Sequence, residues 1–158
     1  MSNTRLLLIS RDDILTVMAS DASDKAFRLL AALTRQGYHL LATAPQPTRW
    51  TGEHGSPDDA LLGPNSIRKR LADAGGTLDG VYYVRRSTLT QKRNRDDALR
   101  DILRRYATQP EQTVLLSSSR NWVKAAQHHG LRATLLGRDN ELMQELAQLA
   151  EERPPTDI

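Results

Sequence analysis

The sequence predicts an α/β domain in which a parallel sheet lies between two layers of helices. Short apolar runs that suit strands alternate with segments whose apolar residues recur at spacings of three and four, as on one face of a helix. The run Val114 to Leu116 is apolar at every position, which is typical of a strand buried on both faces. Strands that alternate with crossover helices favour a three-layer, Rossmann-like fold.

The first part of the chain contains two predicted strands with a helix between them. The strand Arg5 to Ile9 is followed by a loop and then by a helix that Ser23 or Asp24 can cap. Gly37 ends this helix, because glycine readily adopts the left-handed cap conformation. Tyr38 to Thr43 is the second predicted strand.

The middle of the chain repeats the pattern of helix, glycine and strand. The segment between Pro45 and Pro64 is rich in Pro, Gly, Thr and Asp, which predicts a long surface loop. A helix then runs through Leu71 to Gly75, and Gly80 to Val84 is the third strand.

Two further cycles complete the predicted sheet. A helix from Asp96 to Tyr106 leads into the strand Thr113 to Leu116, and a helix from Trp122 to His129 leads into the strand Arg132 to Leu136. The last predicted helix is capped near Asp139 or Asn140 and runs to about Glu152.

The length of 158 residues suits one domain with a sizeable core. We assign residues 1–152 to that domain and residues 153–158 to a flexible tail. The absence of apolar runs of membrane-spanning length predicts no contact with a membrane, and a cytoplasmic location is the default expectation.

Composition excludes several kinds of site. The chain has no cysteine, which excludes disulfides and thiolate metal sites. Its four histidines lack the spacing of metal ligands; they are His39, His54, His128 and His129. The formal net charge of +3 permits phosphorylated ligands but is too small to predict nucleic-acid binding.

The loops after the strands are the places to look for a site, because ligands of open parallel sheets bind at the carboxyl ends of the strands. These loops carry Ser10 to Asp13, Thr43 to Gln46, Arg85 to Arg95, and Ser117 to Trp122. The third loop includes the densest basic stretch of the chain, which either binds an anion or is solvated surface.

Three segments resemble parts of one known superfamily. They are Leu29 to Thr43, Asp73 to Tyr83, and Gln91 to Leu99. In the haloacid dehalogenase (HAD) superfamily, the first of these segments is similar to the first helix and second strand. The second is similar to the entry to the third strand, and the third to a Lys-bearing turn that opens a helix. Within it, the chain resembles the heptose-bisphosphate and histidinol-phosphate phosphatases, which lack a large cap domain. The resemblance implies that Thr43 and either Lys92 or Arg93 bind phosphate.

The sequence departs from this superfamily at its catalytic acids. The Asp-x-Asp-x-Thr motif supplies the nucleophile and the general acid/base, but it corresponds here to Ser10, Asp12 and Ile14. The Gly-Asp-x-x-x-Asp motif binds magnesium, but Ser118 and Trp122 stand where its acids would be. A serine is a poor replacement for a nucleophilic carboxylate, because it needs an activating base and forms a stable ester.

These losses predict a catalytically inactive HAD-like domain that acts by binding a phosphorylated small molecule or a protein partner. No cofactor is expected, because magnesium would have chiefly the Asp12 carbonyl and Asp13 as ligands. One alternative is a divergent phosphatase or phosphotransferase that uses Asp12 or Asp13 with Mg²⁺, and another is a weak nucleic-acid binder.

Each candidate residue also has a structural interpretation. Asp12 is expected to cap the next segment or pair locally with an arginine, and Thr43 is a β-branched residue that suits a strand end. Trp122 is expected to pack in the core, although an indole there could also fill the former pocket or contact a partner.

Overall fold

The computed structural model describes residues 4–46, 62–85, 91–137 and 141–152. These ranges contain five strands, which are β1 (Arg5–Ser10), β2 (Tyr38–Pro45), β3 (Leu78–Val84), β4 (Thr113–Ser117) and β5 (Arg132–Leu135). All the pairings are parallel, and the order across the sheet is β3-β2-β1-β4-β5. The chain therefore winds outwards from β1 in both directions.

Six α-helices and one short 3₁₀ turn (Pro110–Gln112) surround the sheet in the described ranges. The helices are α1 (Arg11–Met18), α2 (Ser23–Arg35), α3 (Leu62–Asp73), α4 (Gln91–Arg105), α5 (Arg120–His128) and α6 (Leu142–Glu151). None of them combines the length and the apolar character needed to cross a bilayer.

Side chains that alternate along β1 build two separate cores. Leu7 and Ile9 are buried on one face of the sheet, where residues of α1, α2, α3 and α6 pack against them. Leu6 and Leu8 are buried on the opposite face beneath α4 and α5. This arrangement confirms the predicted three-layer α/β fold, and no large cap is evident in the described part of the chain.

Most of the predicted elements are present, but their ends differ. The structure contradicts a Ser23 or Asp24 cap, since α2 begins at Ser23 and its N-cap is Ala22. Both of those polar side chains instead contact the Arg70 guanidinium, at 2.6 Å from the Ser23 hydroxyl and 3.0 Å from the Asp24 carboxylate.

Two other boundaries differ in the carboxyl-terminal half. Helix α4 begins at Gln91 rather than Asp96, and Glu141 is the N-cap of α6. The predicted caps Asp139 and Asn140 lie outside the described residues, as do most of the loop predicted between Pro45 and Pro64 and the predicted tail at residues 153–158.

Two glycines end helices as the sequence predicts. Gly37 has φ +106° after α2, and Gly75 has φ +89° after α3. Side chains are strained in this left-handed region, whereas glycine is not. Both turns return the chain to the start of the next strand.

Candidate functional site

Ser10 and Thr43 lie side by side at the carboxyl edge of the sheet. Ser10 is the last residue of β1, and its register partner Thr43 lies two residues before the end of β2. Tyr82 of β3 is the partner of Thr43 on its other side. The structure thus brings the replaced nucleophile position and the predicted phosphate-binding threonine together. Ser118 follows directly after β4 at the same edge.

Asp13 connects two of these strand ends. Ser10 is the N-cap of α1, and its hydroxyl accepts a hydrogen bond from the Asp13 backbone N–H at 3.1 Å. The same hydroxyl donates to the Asp13 carboxylate at 3.1 Å, and the Ser118 backbone N–H donates to that carboxylate at 3.0 Å. The Asp13 side chain therefore holds the loop after β4 against the start of α1.

Asp12 takes the structural role expected of it. Its carboxylate is 71% exposed and pairs with the neighbouring Arg11 guanidinium at 3.0 Å. Its backbone carbonyl accepts a hydrogen bond from the Thr16 hydroxyl at 2.8 Å, inside α1. Both polar groups of Asp12 therefore make contacts within α1.

These residues do not suit the magnesium ion that the fold family implies. The ion prefers oxygen ligands in octahedral geometry, with one or two carboxylates among them. Here the Asp12 carboxylate pairs with Arg11, one oxygen of the Asp13 carboxylate accepts two hydrogen bonds, and Ser118 supplies no carboxylate. The described residues contain no group of three or more His, Cys, Asp or Glu side chains that could hold a metal.

A pocket of about 540 Å³ opens beside Asp13 and Ser118. Apolar side chains from α1, from the end of β5 and from the start of α6 form much of its wall, including Val17, Leu136 and Leu142. Its charged lining residues in the described ranges are all acidic, namely Asp13, Asp21 and Glu141. Like charges repel, so this pocket opposes a phosphate dianion.

The predicted cations lie in the first turn of α4. Lys92 and Arg93 are both exposed there. Lys92 lines a second pocket, of about 450 Å³, between α4 and α5, and Thr43 is not among its described lining residues. The phosphate-binding roles of Thr43, Lys92 and Arg93 remain predictions.

A third pocket, of about 680 Å³, lies between the end of β3 and α4 and contains a tight polar cluster. The Tyr82 hydroxyl donates a hydrogen bond to the Asp101 carboxylate at 2.5 Å, and Arg105 and Arg104 donate at 3.0 and 3.1 Å. These bonds, with that from Tyr82 the largest cause, lower the pKa of Asp101 to about 2. Burial, followed by the bond to Asp101, raises the pKa of Tyr82 to about 12.

Trp122 packs as the structural interpretation predicts. It is partly buried against the core cluster beneath α4 and α5, near Val123 and Ala126. Its backbone N–H donates to the Ser119 hydroxyl, which caps α5, at 3.4 Å. A tryptophan in this position cannot replace a magnesium-binding acid.

Sequence reasoning missed both helix α1 and the bridging role of Asp13. The signal was present, because Ser10 and Asp13 have the Ser-x-x-acid spacing of a capping box, in which two residues satisfy the start of a helix reciprocally. It also missed Lys124, which lines the same pocket as Lys92, Arg95 and Asn121. No sequence pattern links residues on two separate helices.

Comparison with solved structures identifies proteins of the same fold. A D,D-heptose 1,7-bisphosphate phosphatase from B. bronchiseptica, complexed with magnesium and phosphate, aligns with a TM-score of 0.71 at 18% identity over 95% of this chain and 100% of that one. A D,D-heptose 1,7-bisphosphate phosphatase from Burkholderia thailandensis aligns with a TM-score of 0.60 at 16% identity over 94% and 100%.

An uncharacterized protein from Corynebacterium glutamicum also aligns, with a TM-score of 0.62 at 18% identity over 97% of this chain and 99% of that one. No protein-family model matches the sequence, and no curated protein matches it. The alignments cover nearly the whole of this chain and of each matched chain. The chain therefore has the fold of these heptose-bisphosphate phosphatases, which agrees with the fold that the sequence resemblance predicts.

Proposed function

We propose that this chain is a catalytically silent HAD-like domain that binds a phosphorylated small molecule without hydrolysing it. The observation that carries the proposal is the hydrogen bonding of Ser10, Asp13 and Ser118 at the strand ends. In this arrangement a serine stands at the nucleophile position, and the nearest carboxylate is engaged in holding the fold.

Ser10 is a weak candidate for a nucleophile. Its hydroxyl both accepts from the Asp13 N–H and donates to the Asp13 carboxylate, so it acts as a helix cap. Attack on phosphorus would break this cap and give a phosphoserine ester, whose hydrolysis needs a second activated water. Without a suitable metal site, the charge that develops on the phosphoryl group would also lack its main stabilisation.

The alternative is a divergent phosphatase that uses Asp12 or Asp13. The shared fold favours this alternative, because a B. bronchiseptica protein of that fold is a phosphatase. The ion pair of Asp12 with Arg11 and the bonds of Asp13 to Ser10 and Ser118 argue against it.

A phosphate-release assay separates the two functions. Purified protein is incubated with magnesium and with heptose 1,7-bisphosphate or histidinol phosphate, beside the variants Asp12→Asn and Asp13→Asn. Asp97→Asn is the matched control, since Asp97 is an exposed acid on α4 that pairs only with Arg100 among the described residues. We expect no release above the buffer rate from any of the four proteins.

Binding is measured on the same samples by calorimetry. Saturable binding of one of these phosphate esters, without turnover, supports the proposal. Release at ordinary enzyme rates that Asp12→Asn or Asp13→Asn abolishes, and Asp97→Asn does not, contradicts catalytic silence. If neither ester binds nor is hydrolysed, the small-molecule part of the proposal is wrong for these ligands, and a protein partner becomes the better explanation.

A further inference from the structure

The pocket between α4 and α5 is built from matching positions of the two helices. Lys92 and Arg95 are the second and fifth residues of α4, and Asn121 and Lys124 are the second and fifth residues of α5. Residues three apart lie on the same face of a helix, so each helix presents one pair of polar groups to the pocket. The volume of about 450 Å³ is within the range of small-molecule sites.

The three cations of this pocket have no acidic partner among the described residues. No salt bridge within the described ranges involves Lys92, Arg95 or Lys124. The only carboxylate in the described lining is that of Asp96, which pairs at 3.0 Å with His129, the C-cap of α5. That bond links α4 to the end of α5, and it pairs the Asp96 carboxylate with His129 rather than with a cation of the pocket.

In the third pocket, between the end of β3 and α4, the cations do have acidic partners. Arg104 and Arg105 donate to Asp101, and Arg100 lies 3.6 Å from Asp97. An anion that entered there would compete with carboxylates already in place. The pocket between α4 and α5 offers its cations without that competition.

We propose that the pocket between α4 and α5 binds the phosphate group of the ligand. This inference rests on the proposed function and gives it a location away from the former catalytic centre, since Ser10, Thr43 and Ser118 do not line this pocket. Lys92, Arg95 and Lys124 supply charged N–H donors, and the Asn121 amide supplies a neutral one. A compact phosphate monoester matches this donor set.

The negative charge of the pocket beside Asp13 and Ser118 also favours the location between α4 and α5. The pocket beside Ser118 has Asp13, Asp21 and Glu141 as its charged lining residues in the part of the chain that is described. A phosphate dianion is repelled there and attracted between α4 and α5. The two helices also direct their amino-terminal turns to the same edge, where their dipoles add to the attraction.

The test is calorimetric binding of inorganic phosphate and of glucose 6-phosphate at low ionic strength. The double variant Lys92→Ala/Lys124→Ala removes two of the three cations. Lys25→Ala/Lys69→Ala is the matched control, because these exposed lysines lie on α2 and α3 and their loss changes the net charge equally. Circular dichroism establishes that both variants remain folded.

We expect the pocket variant to bind phosphate about tenfold more weakly or worse, and the control to bind as the parent does. Equal weakening in both variants would mean a general charge effect and would overturn the inference. If the pocket variant binds normally and Thr43→Val does not, the proposed function survives but the phosphate lies at the strand ends. If the parent itself binds neither probe, this site is wrong, whereas the proposed function stands or falls separately with the binding of heptose 1,7-bisphosphate and histidinol phosphate.

Discussion

The Ser118 backbone N–H donates a hydrogen bond to the Asp13 carboxylate at 3.0 Å, although the two residues are 105 positions apart. The contact joins the start of α1 to the loop after β4. The superfamily that the sequence resembles has acids at the positions of Ser10 and Ser118. In this chain the Asp13 carboxylate accepts hydrogen bonds from both serines and so holds the two segments together. The Asp13 carboxylate therefore has a structural role at this edge of the sheet.

The first prediction concerns the free energy of unfolding. Asp13→Ala removes the acceptor of the Ser118 N–H and of the Ser10 hydroxyl, and should lower stability by about 1–2 kcal/mol. Urea denaturation measures the change. Asp12→Ala is the control, because Asp12 is 71% exposed and pairs only with Arg11. Its loss should cost about 0.5 kcal/mol or less. Equal losses would show that Asp13 has no bridging role.

A second prediction tests whether one substitution can restore the missing nucleophile. Ser10→Asp keeps an oxygen that can cap α1, but it can no longer donate to the Asp13 carboxylate, which now lies 3.1 Å from the Ser10 hydroxyl. The two carboxylates would repel each other.

We therefore expect Ser10→Asp to destabilise the parent by about 1–2 kcal/mol more than it destabilises the Asp13→Asn variant. Urea denaturation of the four proteins in this cycle gives the coupling energy. No phosphatase activity should appear in any of them. Additive effects would mean that Ser10 and Asp13 do not interact in solution.

Local pattern was sufficient to predict the sheet but not the whole site. β1 is apolar at four successive positions and therefore gives a clear strand signal. The apolar periodicity of helix α1 is weak, because Ile14 is its one buried residue. The helix also follows β1 without a connecting loop, so no turn residues mark its start. The α4 and α5 pocket depends on how two helices pack, and Lys92 and Lys124 are related only in three dimensions.

A third prediction concerns the close contact between Gly76 and α2. A Cβ atom on Gly76 would lie 2.6 Å from the Ala31 Cα and 2.9 Å from the Ala31 Cβ. Gly76→Ala should therefore force the segment before β3 away from α2 and lower stability by about 1–3 kcal/mol.

Gly137→Ala is the matched control, because no heavy atom of the described residues, apart from its chain neighbours, lies within 4 Å of the Cβ it would add. We expect that variant to unfold within about 0.5 kcal/mol of the parent. Thermal denaturation followed by circular dichroism measures both. A Gly76→Ala protein as stable as the parent would contradict the close packing of this segment on α2.

The last prediction uses the pH dependence of the Tyr82 and Asp101 pair. The folded protein lowers the pKa of Asp101 from 3.8 to about 2, so its contribution to stability is present above pH 4 and is lost as the pH falls towards 2. The difference in unfolding free energy between the parent and Asp101→Asn should shrink over that window.

The same pair predicts that stability falls with rising pH in the alkaline range. Burial and the bond to Asp101 raise the pKa of Tyr82 from 10.0 to about 12, so the protonated phenol stabilises the fold below pH 10 and loses this effect as the pH rises towards 12. Ultraviolet titration of the parent minus Tyr82→Phe should isolate one phenol that ionises near pH 12. An ionisation near pH 10 in that difference would mean that Tyr82 is neither buried nor hydrogen-bonded to Asp101 in solution.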